Sequence, residues 1–141
     1  MTNREKIEFL YKEDGIRDKQ FLNTLIHDDF RLEWDSSSGN SILDKNFILN
    51  LSEVINTNYE ISYFEISHLI EENNQIVVKY NHKVATIENP KEIMLIAKVV
   101  AIWSFQEGKI IDGYLISKPN KKNTIKNMWL FGKKLTFASQ I

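Results

Sequence analysis

Residues 92–119, EIMLIAKVVAIWSFQEGKIIDGYLISKP, constrain the possible folds more than any other stretch of the chain. They read as a long strand, a turn at Gln106-Glu107-Gly108 and a second strand that stops at Pro119. Side chains alternate along a strand. Leu95, Ala97, Val99, Ala101, Trp103 and Phe105 therefore share one face, and Met94, Ile96, Lys98, Val100, Ile102 and Ser104 the other. With a three-residue turn, Phe105 faces Lys109, Trp103 faces Ile111 and Ala101 faces Gly113. Gly108 suits positive φ as a bulge glycine.

The first face carries small residues among large ones. Ala97, Ala101 and Gly113 either leave room above a sheet floor or let helices pack closely. In the first case Trp34, Phe64, Tyr80 and Trp103 wall an aromatic cavity of the kind that takes small ligands. The second face sets Met94, Ile96, Val100 and Ile102 beside Tyr114 and Ile116. A contiguous apolar row of this kind calls for a cover. A twofold sheet-to-sheet contact with a second copy supplies one; the apolar C-terminal tail is the competing cover.

Upstream, Ile7, Leu10 and Tyr11 recur at helical spacing over residues 3–13, and Asp14-Gly15 breaks the pattern. Asp18 caps a second helix bearing Phe21, Leu22, Leu25 and Ile26, and Asp44 caps a third bearing Phe47, Ile48, Leu51, Val54 and Ile55. Residues 30–35 alternate as a short strand, and SSSGNS is a loop. Strands follow at 59–71 and 76–87, joined by a three-residue loop around Asn73-Asn74, with one Asn left-handed. That loop brings together Ser62, Phe64, Ile66, His68 and Ile70 with Ile76, Val78, Tyr80, His82 and Val84. Strands 92–105 and 110–117 complete an α+β order.

With 141 residues, 43% of them apolar and 26% charged, the chain suits one globular core. It has no cysteine, so disulfides and thiolate metal sites are excluded. No apolar run approaches the roughly 20 residues of a membrane span. The N-terminal stretch alternates charge with apolar residues and does not read as a signal peptide. The cytoplasm is the expected location by default. All 19 acidic residues and 12 of the 18 basic ones lie at or before Asp112, leaving that part at −7; the remaining six lysines make the tail +6. A basic tail can meet nucleic acid or anionic lipid. Aromatic and aliphatic residues interrupt these lysines, which favours packing on the chain's own acidic body or on a partner subunit. The expected division is a domain over 1–118 and an apolar, basic extension over 119–141.

Two motifs carry a family resemblance. His27-Asp28-Asp29-Phe30-Arg31-Leu32-Glu33-Trp34 is similar to a two-aspartate entry into a first strand. Ile102-Trp103-Ser104-Phe105-Gln106-Glu107-Gly108-Lys109-Ile110-Ile111 is similar to an aromatic hairpin closed by acidic-Gly-Lys-Ile. In this order they resemble the nuclear transport factor two-like superfamily, and its SnoaL-like and ketosteroid-isomerase-like branches in particular, over residues 3–118. The resemblance implies a cystatin-like α+β roll: a cone-shaped, curved, antiparallel or mixed sheet wrapped around N-terminal helices, with an interior pocket. Many such proteins are homodimers packed through the outer sheet face. Members include isomerases, dehydratases, polyketide cyclases and non-enzymatic binding proteins, so fold alone selects no activity.

His82 is the leading candidate for chemistry. It lies mid-strand on the apolar face, and imidazole suits acid–base work near neutral pH. His68 shares that face diagonally across the hairpin. Each reads equally as a core or rim histidine satisfied by backbone or water. His27, at a helix end before two aspartates, reads as structural. Ketosteroid isomerases use a general-base Asp, a Tyr and a protonated Asp. Here Trp34 and Ala101 stand at the two acid positions, and Tyr11 (or Leu10) at the Tyr position, so that triad is not expected. A dehydratase-like arrangement of Tyr11, Tyr80 and His82 remains, with Asp35 the only nearby carboxylate to orient the imidazole. Asp35 points outward unless its strand bulges.

The expectation is thus a small apolar ligand bound in a pocket lined by Trp34, Phe64, His68, Ala97, Ala101, Trp103 and Gly113, in a homodimer. The alternative is a small isomerase, cyclase or dehydratase using His82 with Tyr. No metal, cofactor, membrane or nucleic-acid partner is expected.

Overall fold

The computed structural model describes residues 1–120. Expectations for the extension beyond them lie outside the described residues. Helix α1 (Asn3–Lys12) starts at a capping box: Glu5 N donates to Thr2 Oγ1 at 3.1 Å and Thr2 N to Glu5 Oε1 at 2.8 Å. Asp14 then takes the left-handed conformation and a single 3₁₀ turn, Gly15–Arg17, folds back on α1. Only glycine fits at its start, because a Cβ on Gly15 would lie 2.6 Å from Leu10 Cα. Asp18 caps α2 (Lys19–Leu25) through Phe21 N at 2.9 Å, and Asp44 caps α3 (Lys45–Asn58) through Phe47 N at 3.1 Å, both as the sequence predicts.

The strands are β1 (Ile26–Ser36), β2 (Gly39–Leu43), β3 (Tyr59–Glu72), β4 (Gln75–Thr86), β5 (Met94–Gln106) and β6 (Lys109–Pro119). They form one open sheet in the order β2-β1-β6-β5-β4-β3. The β1–β6 pair is parallel and the rest are antiparallel, so the sheet is mixed. The helices pack on one face of it, giving the expected α+β cone. Part of β2, residues 39–41, was expected within the SSSGNS loop; the strand pairs with β1 in a hairpin that buries Ser41 and Leu43.

Both long hairpins turn through two residues where three were expected. Glu72 pairs with Gln75 around a left-handed Asn73, and Gln106 pairs with Lys109 around Glu107 and Gly108, both at positive φ. Bulges restore the facing that a two-residue turn would invert. One lies between Ile66 and His68; the turn sets Leu69 opposite Val78, and beyond the bulge Ile66 pairs with Tyr80 and Phe64 with His82. Another lies between Ser104 and Phe105, so Gly113 pairs with Trp103, and Ala101 with Leu115. A third falls at Ile96 of β5, where the register shifts between the His82–Ala97 and Lys83–Leu95 pairs.

That third bulge corrects the face assignment of β5. Met94 and Ile96, expected outside, are buried in the core, and Leu95 is only partly buried. The outer row is therefore Val100 and Ile102 of β5 with Tyr114 and Ile116 of β6. Inside, the core divides in two. A large cluster gathers Tyr11, Phe30, Phe47, Tyr80, Val99, Ala101 and Trp103 among others; a smaller one holds Ile55, Tyr59, Val84, Met94 and Ile96. Ile16 and Leu51 pack against both.

Candidate functional site

His82 stands at the seam between the two clusters. On β4, Tyr80 belongs to the large cluster and Val84 to the small one. Its strand neighbours Asn81 and Lys83 point outward and both bond Glu65, at 3.1 and 2.9 Å, so alternation turns the imidazole inward. Phe64, directly opposite on β3, stacks on the ring at 4.6 Å with the planes 21° apart. Ser62, two residues along β3, places its Oγ 2.8 Å from His82 Nε2. Ala97 pairs with His82 on the other side.

Burial in this apolar seam, and secondarily the positive charge of Arg17, lower the His82 pKa to about 4. The residue as a whole is only partly buried. The imidazole is therefore neutral at physiological pH, and Nε2 exchanges a hydrogen bond with the serine hydroxyl.

Beside it lies a band of inward-facing side chains that pack against the core and stay only partly buried, interrupted by buried Val99 opposite Ser117. Trp34, Leu115, Ser117, Ala97, His82 and Phe64 follow one another across β1, β6, β5, β4 and β3, and each is only partly buried. Trp34 Nε1 donates to Ser117 Oγ at 2.8 Å, and the Trp34 ring meets Phe47 of α3 edge-on at 5.7 Å.

Deeper in, the aromatic floor is filled. Trp103 Nε1 donates to the Tyr11 hydroxyl at 2.9 Å, the Tyr11 and Tyr80 rings lie 4.9 Å apart, and Phe64 meets each edge-on at 5.1 Å. Burial raises both phenol pKa values well above the ordinary range, although the Trp103 bond opposes the shift at Tyr11. Both hydroxyls are protonated at any physiological pH.

The candidate residues thus separate. His82, Phe64, Ala97 and Trp34 lie on the open band, and Tyr11, Tyr80, Ala101 and Trp103 form the floor beneath. Three placements are corrected. His68 is exposed, because the bulge beside it hands its inward position to Leu69. Gly113 leaves no free space, because the Trp103 indole occupies it: a Cβ there would lie 2.6 Å from Trp103 Cζ3. Asp35 faces outward and accepts from the Tyr114 hydroxyl at 3.3 Å, so it does not orient His82.

Ser62 shared His82's expected face, but its pairing with the imidazole was missed. A small polar residue amid bulky inner ones was the available signal. Arg17 was missed too. It follows the interruption of the helical pattern at Asp14-Gly15, and no periodicity there indicates where the side chain goes. Among the described residues no cluster of three or more His, Cys, Asp or Glu could hold a metal ion, and no helix is long and apolar enough to cross a membrane.

No protein-family model and no curated protein matches the chain. Solved structures do. The chain is similar to wild-type IdmH, a proposed polyketide cyclase from Streptomyces antibioticus, at TM-score 0.65 and 12% identity, covering 94% of this chain and 99% of that one. A proposed SnoaL-like polyketide cyclase from a Jannaschia species matches at TM-score 0.65 and 13% identity over 89% of this chain and 88% of that one. An NTF2-like protein of unknown function from Burkholderia pseudomallei matches at 0.61 and 16% over 89% and 97%. At these identities the likeness establishes the fold alone.

Proposed function

We propose that this chain, which has the nuclear transport factor 2-like fold in its SnoaL-like form, binds a small, largely apolar molecule along its inner band. The observation that carries the reading is the row of inward-facing side chains from Trp34 to Phe64 that stays partly exposed although the floor beneath it is closed. Inward apolar surface left open on a rigid sheet is what a preformed ligand site looks like.

A second reading makes the protein a small isomerase, cyclase or dehydratase acting on a carbonyl compound. The Ser62–His82 pair favours it: neutral imidazole accepts a proton, and the serine hydroxyl fixes the ring's orientation. Two facts weigh the other way. A base of pKa about 4 is poorly matched to proton abstraction at neutral pH. The Tyr11 hydroxyl, offered for polarising a carbonyl, is buried in the closed floor. Binding is the better-supported function.

The protein is proposed to act as a homodimer in the cytoplasm. The dimer is supported by the outer face, where Ile116 is 44% exposed beside partly exposed Val100, Ile102 and Tyr114.

Native mass spectrometry of the purified protein, with a calorimetric titration of naphthalene-2-carboxamide, tests the site. Saturable binding that is lost in Ala97→Trp, with the fold retained by circular dichroism, is expected. Absence of saturable binding, or binding indifferent to Ala97→Trp, overturns the reading.

A further inference from the structure

We infer that Arg17 is the anion-recognition group of the inner site, so that the ligand it takes is an apolar body bearing one carboxylate. The inference rests on the ligand-binding reading of the band and specifies the chemical class of that ligand.

Arg17 ends the 3₁₀ turn that closes over the seam; its neighbour Ile16 packs against both apolar clusters. The turn is held from two sides. Arg17 Nη2 donates to the Tyr59 carbonyl at 2.7 Å, at the start of β3, and Asn56 Nδ2 of α3 donates to the Arg17 carbonyl at 3.0 Å. The guanidinium is partly buried, three residues along β3 from Ser62.

Among the described residues no ion pair neutralises the charge of Arg17. The nearby acids are used elsewhere: Asp18 caps α2 and Glu53 pairs with Lys19, while Glu13, Asp14 and Glu60 are exposed. Arg17 Nε is fully enclosed and has no hydrogen-bond partner. An orphaned buried donor is costly, so a guanidinium kept only as a strut would have it satisfied. The positive field of Arg17 also reaches His82, where it disfavours a second positive charge.

A planar oxyanion at the Nη end answers the unpaired charge; the enclosed Nε lies beyond a ligand's reach. A carboxylate matches the guanidinium fork with two parallel bonds, which a point-charge ammonium cannot reproduce. With the carboxylate at Arg17, the apolar body lies along Phe64 and Ala97 toward Trp34, and its middle passes His82 and Ser62. The neutral imidazole and the serine hydroxyl then offer hydrogen bonds without competing for the anion.

The test is a matched pair of probes, naphthalene-2-carboxylate and naphthalene-2-carboxamide, titrated calorimetrically into the full chain. Wild type should prefer the carboxylate by about tenfold or more, the usual worth of a charge-assisted bond. Arg17→Gln should retain amide binding and lose the preference. Arg17→Lys, which keeps charge but not the fork, should reduce the preference severalfold. Ala97→Trp should abolish both titrations. Equal affinities in wild type, or a preference undiminished in Arg17→Gln or in Arg17→Lys, overturn the role of Arg17 and leave the apolar site standing. Binding of neither probe overturns the site and this inference with it. Should Arg17→Gln fail to fold, the wild-type ratio and Arg17→Lys decide.

Discussion

The Trp103 indole takes the volume that a side chain on Gly113 would need. The two residues pair across β5 and β6, and a Cβ on Gly113 would stand 2.6 Å from Cζ3 and 2.8 Å from Cε3 of the ring, and 3.0 Å from Leu32 Cδ1. The ring cannot retreat, because its Nε1 is bonded to Tyr11 on the helical side. Gly113→Ala is therefore expected to lower stability by about 1–3 kcal/mol through overpacking. Urea denaturation followed by tryptophan fluorescence measures this. An unchanged midpoint would mean the ring repacks freely.

The Trp103–Tyr11 bond makes a second prediction. Removing the Tyr11 hydroxyl strands a buried indole N–H, at a cost of about 1–3 kcal/mol. Tyr11→Phe should therefore be clearly destabilised, and the further change Trp103→Phe should add less than it does alone. A double-mutant cycle with no coupling energy would show that the bond contributes nothing.

Acid should weaken the fold through His82. The native pKa lies near 4 and the ordinary value at 6.5. Between those values the unfolded chain binds a proton that the native imidazole refuses, so stability falls as pH drops through the window. The loss begins near pH 6.5 and is complete below about pH 4. Its size is on the order of 1–3 kcal/mol, kept below the full shift because the residue is only partly buried. His82→Gln removes this component. The difference in unfolding free energy between wild type and variant should therefore depend on pH only in that window; a pH-independent difference contradicts the burial of a neutral imidazole.

The outer face yields a prediction about assembly. Ile102→Lys with Ile116→Lys places two charges on the row proposed to meet a second copy. Light scattering after size exclusion should give a dimer for wild type at micromolar concentration and a monomer for the variant, with unchanged circular dichroism. A monomeric wild type would remove the dimer.

Much of the fold was legible because it is written in local signals. Asp18 and Asp44 cap helices wherever they precede an apolar period. Asp14-Gly15, Asn73 and Gly108 mark reversals because few other residues accept the backbone angles or the close approach needed there. His82 could be placed inward because alternation within β4 is unbroken. His68, Met94 and Ile96 were misplaced for the opposite reason. A bulge adds one residue to a strand and leaves no compositional mark, yet everything beyond it changes face.

The sequence by itself determined the α+β order, the helix starts, the hairpins and the inward aromatic set, since each follows from neighbours along the chain. Only the tertiary structure decided how the strands register, that Trp103 fills the gap at Gly113, that Asp35 bonds Tyr114, that Ser62 bonds His82 and that Arg17 reaches the Tyr59 carbonyl. Those relations depend on bulges and on contacts between residues distant in the chain. Arg17 and Tyr59 are 42 positions apart, and Tyr11 and Trp103 are 92. No local period encodes such distances; packing one core selects them.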